Sequence, residues 1–368
     1  MTPEIYLDWN ATTPPHPAVL SAMEAARAEG WGNPASVHGA GRRARALVDD
    51  ARALVAELVG RDPRDVIFTG GGTEANNLAL AGSGVLVTSR LEHPSVTRVA
   101  EEHERAGAQV RWVPVGGDGM VSPGAVEAAL AGTTGATVAV AAVNHETGVI
   151  QPLAAIAEVT RRAGARLHVD AVQAAGRLDA TLWRYGDTLA LAAHKLRGPK
   201  GIGALAVAPG WVPRPVLRGG AQERGLRPGT QDAVAAAGFG AAVARSAESV
   251  RRYAGLAAQR DALERALAGV ALVNGAEGPR APHVSSLVFA GRQSPELAAA
   301  LDLEGVRVSS GSACTAGTSE PSAVIEAMHG TERALATLRV SLGEETNAAE
   351  VAGFLEALRR VLARGTRS

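Results

Sequence analysis

Thr188-Leu-Ala-Leu-Ala-Ala-His194-Lys195-Leu-Arg-Gly-Pro-Lys200-Gly-Ile-Gly203 is the stretch on which the fold turns. Its first five residues, Thr188–Ala192, are apolar without alternation, as in a strand covered on both faces. The run ends in His-Lys and a glycine-rich turn, and a second apolar run, Gly203–Val207, follows. In α/β sheets ligands bind at strand ends beside the loops. A lysine there is partly desolvated, which lowers its pKa and frees the amine for covalent chemistry. The plain alternative is a surface loop lysine, a description that suits Lys200 better. Lysine occurs only at these two positions among 37 basic residues, so arginine serves nearly everywhere else. A guanidinium stays protonated and cannot do a lysine amine's chemistry.

Outward from this stretch, further apolar runs at Asp65–Thr69, Gly84–Ser89, Gln109–Val115, Thr137–Val143 and Arg166–Val169 read as strands. Helices are expected near Thr73–Ala81, Pro94–Ala106, Pro123–Ala131 and Pro152–Ala163. The alternation predicts an α/β fold with a mainly parallel sheet. A long helical stretch from about Thr230 to Ala268 comes next, with Gly238 and Gly240 as weak points. Strands at Val284–Phe289, Val306–Ser309 and Thr337–Ser341, with helices near Pro295–Leu303 and Ala348–Ala363, predict a smaller α/β domain. The expected division is a large domain of residues 15–250 and a small one of 1–14 with 251–368, which suits a chain of 368 residues. The loop Val308–Pro321, rich in small residues, is expected to be mobile.

A formal net charge of zero gives no sign of sequence-independent nucleic-acid binding. Apolar runs such as Ala136–Val143 are far too short to span a membrane. The first residues show no basic segment followed by an apolar one, so a cytoplasmic location is expected. The lone cysteine, Cys314, cannot form an internal disulfide or supply a multi-cysteine metal site, and no metal is expected.

Several motifs could carry chemistry. His168-Val-Asp170-Ala-Val-Gln173 ends a strand in an aspartate that could hold a pyridinium nitrogen protonated or could cap a helix. Thr69-Gly-Gly-Gly72-Thr73-Glu74 is a strand–turn–helix junction suited to phosphate, and it lacks the lysine of a Walker loop. His93, just before a proline-opened helix, could stack on a flat cofactor or be an ordinary histidine. Cys314, in Ser309-Ser-Gly-Ser-Ala-Cys-Thr-Ala-Gly, is poorly placed for core packing and suits a nucleophile that travels. Arg339, on an expected buried strand, could pair internally or bind a substrate carboxylate.

Together these segments resemble the cysteine desulfurases, class V enzymes of the fold type I pyridoxal-phosphate (PLP) group. The likeness runs from Tyr6-Leu-Asp-Trp-Asn-Ala-Thr-Thr-Pro through Gly32-Asn-Pro-Ala-Ser-Val-His38, Asn144-His-Glu-Thr-Gly-Val-Ile-Gln and Gly219-Gly-Ala-Gln-Glu-Arg-Gly-Leu-Arg-Pro-Gly-Thr230 to Arg339. The longer cysteine loop resembles the iron–sulfur-cluster and nitrogen-fixation branch. The resemblance implies that Lys195 carries PLP, Asp170 pairs with its ring nitrogen, Gln173 bonds the ring hydroxyl and His93 stacks on the ring. It implies phosphate contacts from Gly72, Thr73 and His194, with Thr230 reaching in from the partner of a homodimer. Arg339, Asn144 and His145 would meet the substrate, and His145 would also bind the cofactor near its ring hydroxyl.

The implied reaction converts L-cysteine to L-alanine and leaves the sulfur on Cys314 as a persulfide for an acceptor such as a cluster scaffold. Two positions depart from the family pattern: Ala192 stands where serine usually binds phosphate, and His145 where a second asparagine is common. Another class V enzyme, an aminotransferase or selenocysteine lyase, is the first alternative. A sulfur-delivery protein active mainly with a partner is the second. A phosphate-loop nucleotide-binding protein has only the glycine turn in its favour.

Overall fold

The structure, a computed structural model, describes residues 4–311 and 321–364. Seven strands form the main sheet, in the order Val66–Thr69, Gly203–Val207, Thr188–Ala192, Arg166–Asp170, Ala136–Ala141, Val85–Ser89, Gln109–Val113. All neighbours run parallel except Gly203–Val207, which is antiparallel to the strands on both sides. The sheet is therefore mainly parallel, as expected, and the expected strands appear with ends shifted by one or two residues. Thr188–Ala192 and Ala136–Ala141 are buried at every position, which explains their unbroken apolar character.

The helical stretch after Thr230 departs from expectation. It divides into Ala233–Ala244, Ser246–Ala254 and Ala257–Ala266, so the breaks fall at Arg245 and at Gly255–Leu256. Gly238 and Gly240 lie inside the first helix because close packing demands them. A Cβ on Gly240 would lie 3.1 Å from the Ala51 Cα, and one on Gly238 would lie 2.7 Å from the Met23 Cγ. Those two neighbours belong to helices Pro17–Glu29 and Gly39–Val59, which the sequence reading passed over. Both begin with a histidine cap: Nδ1 of His16 accepts the Ala18 N–H, and Nδ1 of His38 accepts that of Gly41.

A second apolar core gathers Leu7, Tyr253, Leu287, Leu338, Phe354 and Leu358. It covers a small antiparallel sheet ordered Thr337–Ser341, Val284–Val288, Leu272–Val273. Val324, Ile325 and Met328, on helix Ala323–His329, pack into the larger core instead. The N-terminal segment joins the two halves. Ile5–Tyr6 pairs in parallel with Val306–Arg307, and Trp9 lies so close to Gly343 that any Cβ there would meet its indole ring. Among the described residues no helix is long and apolar enough to cross a membrane.

Candidate active site

At the end of strand Thr188–Ala192 the chain makes a short turn, Ala193–Lys195, which turns the lysine into a cavity of about 220 Å³. The Lys195 Nζ donates to the carbonyl oxygens of Asn10 and Ala11. The turn is clamped from behind. Arg197 adopts a left-handed φ of 62°, donates its main-chain N–H to Thr13 Oγ1 at 2.9 Å and pairs with Glu344 at 2.7 Å.

Asp170 ends the neighbouring strand. Its Oδ1 accepts the Val172 N–H at 3.0 Å and its Oδ2 accepts Asn76 Nδ2 at 2.7 Å. The second proton of Asn76 Nδ2 goes to Ser95 Oγ at 2.8 Å. His168 holds the other end of that amide, with Nε2 2.9 Å from Asn76 Oδ1 and Nδ1 2.8 Å from Thr188 Oγ1. Burial pushes His168 down to about 4, so it is neutral and donates from Nε2. On His93, Nδ1 accepts the Ser95 N–H at 3.1 Å and faces the Ser95 hydroxyl at 2.8 Å. Burial also lowers the His93 pKa, with Lys195 adding to the shift and Asp170 opposing it. Its remaining proton therefore sits on Nε2.

Helix Gly72–Leu80 starts beside this group. Its N-cap, Gly71, has φ of 151° and supplies no side-chain cap, so the first amides stay available. Gly72 is required by crowding, since its Cβ would lie 2.7 Å from the Val172 Cγ2 and 3.5 Å from the Ala192 Cβ. His194 Nδ1 lies 3.1 Å from Thr12 Oγ1, and burial, aided by the charge on Lys195, brings its pKa down to about 4.

Gln173 also borders the cavity. Its Oε1 accepts Arg177 Nη1 and its Nε2 donates to the Asn10 carbonyl, which leaves one amide proton to offer. His145 completes the lining, its ring edge-on to His93 at 5.3 Å between centroids. Burial holds its pKa well below the usual value, so it stands there as a neutral imidazole.

Four expected residues stand apart from this cluster. Asn144 is spent within its own turn, accepting the N–H groups of Glu146 and Thr147 and donating to Leu91 O, and it does not face the cavity. Arg339 is buried in an ion pair with Asp8 at 2.7 Å, the internal pairing that the sequence left open. Thr230 is exposed and away from the lining. Cys314 lies outside the described residues. Conversely, Asn10, Asn76, Ser95 and Arg177 were not anticipated. Asn76 follows Thr73 by three residues on helix Gly72–Leu80, a spacing that puts them on a shared helical face, whereas Arg177 follows Gln173 by four within a run of turns.

Glu92 is a further buried group beside His93. Burial, with repulsion from Asp170, raises its carboxyl to about 8 against hydrogen bonds from Ser89 and the Ala141 N–H. The folded chain thus holds this proton across a window in which the unfolded chain releases it. The group's contribution to stability is complete below 4.5 and is lost as pH rises through 8. Glu92→Gln, isosteric and neutral, should raise the denaturant midpoint at pH 8 and flatten its decline from pH 5. Parallel curves for the two proteins would refute this.

The donor set fits PLP. One cavity is bordered by a primary amine, a carboxylate, a flat imidazole and an uncapped helix start, as an aromatic cation bearing a phosphate requires. Comparison with known proteins points the same way. The model of the family described as aminotransferase class-V matches residues 5–354. An IscS-like cysteine desulfurase of Mycobacterium tuberculosis is 38% identical, with 99% of this chain and 97% of that protein covered. The solved NifS-like protein of Rickettsia africae is 28% identical, with a TM-score of 0.89 over 98% of this chain and 99% of that one. A structure of SspA in complex with cysteine is 30% identical, with a TM-score of 0.80 over 93% of this chain and 99% of that one. The chain belongs to the aminotransferase class-V family of PLP-dependent enzymes and, within it, to the cysteine desulfurases.

Proposed function

We propose that the protein converts L-cysteine to L-alanine and takes the sulfur onto Cys314 as a persulfide. The observation that carries this reading is the convergence of Lys195, Asp170, His93 and the Gly72 helix start on one cavity. Bound PLP supplies an electron sink for negative charge at the substrate Cα. Lys195 would hold the cofactor and, once released, move the Cα proton at Nζ. Asp170, fixed by Asn76 and the Val172 N–H, would keep the ring nitrogen protonated. Gln173 would offer its free amide proton to the ring hydroxyl, and His93 would cover the ring. Gly72, Thr73 and His194 would take the phosphate. His145 would meet the substrate as a neutral donor, and the substrate carboxylate would compete with Asp8 for Arg339.

Sulfur moves when the Cys314 thiolate attacks the substrate sulfur. The S–S bond forms, the Cβ–S bond breaks, and protonation of the carbon fragment gives alanine. The receiving protein would be a cluster scaffold or another sulfur acceptor. A homodimer would bring Thr230 of the partner to the phosphate. The exposed Val216 and Leu217 support this, since they line an open hollow shared with Gly70, Gly71, Gly72 and Thr73. Residues 15–250 would form the cofactor-binding unit, and 1–14 with 251–368 the unit carrying Cys314.

The purified PLP-loaded protein given L-cysteine and a thiol should release alanine and sulfide in equal amounts. Amino transfer to a keto acid without sulfur release would overturn the reading. Ala192 leaves the phosphate one hydroxyl short. Ala192→Ser should therefore slow PLP loss on dialysis, tightening retention about tenfold, the scale of one added charge-assisted hydrogen bond. Unchanged retention would show that another donor already fills the gap.

A further inference from the structure

Arg177 is buried at 1% exposure, and none of its partners is charged oppositely. Its Nη1 donates to Asn10 Oδ1 at 2.7 Å and to Gln173 Oε1 at 2.5 Å, and lies 3.3 Å from His283 Nε2. Its Nη2 donates to the carbonyls of Trp9 at 3.0 Å and Lys195 at 3.2 Å. Other buried arginines have carboxylates: Arg52 has Glu223, Arg197 has Glu344 and Arg339 has Asp8. Among the described residues Arg177 has none within ion-pair range. Burial lowers its pKa, yet a guanidinium starts so high that it remains charged. A buried charge without a counter-ion is costly, and such charges gather at functional sites.

Asn10 joins this charge to the site. Its side-chain oxygen takes Arg177, and its carbonyl takes both Lys195 Nζ and Gln173 Nε2. We propose that Arg177 is a positioning residue whose buried positive charge, set behind Lys195 through Asn10, disfavours a proton on the Lys195 nitrogen, while its bond to Gln173 turns that amide so that an N–H is offered to the cofactor.

The other groups around Lys195 offset this charge only in part. Asp170 is the one carboxylate lining the cavity; its partners, Asn76 and the Val172 N–H, are neutral, and a protonated ring nitrogen would offset it in the loaded enzyme. His93, His145 and His194 all have lowered pKa values and stand neutral. Arg339 is neutralised by Asp8. Behind the lysine turn, Glu344 is shared between Arg197 and Arg245. Tyr253 places its ring 5.5 Å from the Arg177 guanidinium, and its hydroxyl is kept protonated by burial. His283, the remaining neighbour, is itself held neutral by burial and by Arg177.

The inference rests on Lys195 carrying PLP. Its test is a pH titration of the visible band of the PLP-loaded full-length protein. Arg177→Gln removes the charge, and Asn10→Asp supplies the missing carboxylate isosterically. Both should move the midpoint up by roughly one to two pH units, the usual effect of a nearby charge. Arg177→Lys should leave it near the wild-type value. An unmoved midpoint in Asn10→Asp overturns the proposal, even where Arg177→Gln fails to fold. So does an Arg177→Lys midpoint displaced as far as that of Arg177→Gln.

A second readout needs no cofactor. In the PLP-stripped protein, the pH at which Lys195 becomes reactive to an acylating reagent should rise in the same variants, with exposed Lys200 as internal reference. A wild-type protein that takes up PLP without any visible band would instead sink the Lys195 reading itself.

Discussion

Lys195→Ala is expected to give a folded, colourless protein with no measurable alanine release from L-cysteine. Two functions vanish together, the covalent hold on PLP and the base at Cα. Either alone is worth orders of magnitude, so kcat/KM should fall by about 10⁴ or more. Lys200, the other lysine, is exposed in the following turn and does not border the same cavity, so it cannot substitute. The fold should survive. The substitution removes two hydrogen bonds, to the Asn10 and Ala11 carbonyls, at a cost of about 1–3 kcal/mol. Absorbance and circular dichroism on one sample separate the outcomes. A visible band that persists in the variant would mean that PLP is held elsewhere.

Cys314→Ala should have the second largest effect and a different signature. The visible band should remain, because no other role at the cofactor is assigned to this side chain. Lys195 should still exchange the substrate Cα proton with solvent deuterium. Sulfur transfer should drop on the order of a thousandfold or more, as when a nucleophile is deleted. No other thiol in the chain can replace it. Mass spectrometry after brief exposure to L-cysteine should find wild-type chain one sulfur atom heavier at Cys314 and the variant unmodified. Full turnover in the variant would contradict the persulfide route.

The side chains legible in the sequence were those at strand ends and helix starts. His194, Lys195 and Asp170 close apolar runs, and Gly72, Thr73 and His93 open helices, so local pattern alone singled them out. Gln173 was found by its spacing from Asp170. What stayed hidden acts through distant partners. Asn10 lies in a short N-terminal segment with no periodicity, and its weight comes from Gln173, Lys195 and Arg177, more than 160 residues away. Helices Pro17–Glu29 and Gly39–Val59 escaped because histidine caps fall outside the usual serine, threonine, aspartate and asparagine signal. Gly238 and Gly240 read as helix breaks because a sequence does not show which neighbour crowds them. Arg339 could be placed on a buried strand but not assigned its partner, since Asp8 is 331 residues away.

The threading of residues 5–13 through both halves has a kinetic consequence. These residues leave the ribosome early, yet they dock on Val306–Arg307, Arg339 and Ser341. During synthesis Asn10 and Thr13 can meet Gln173, Arg177 and Arg197 first, but the remaining partners come only with residues 306–341. The floor beneath Lys195 is made by Asn10 and Ala11, and it is complete only when the last strand arrives and Ser341 Oγ accepts the Asn10 N–H. Contacts this remote in sequence are slow to close. Cofactor loading should accordingly trail chain completion, and a stalled chain ending before Thr337 should present the lysine on a floor held from one side only.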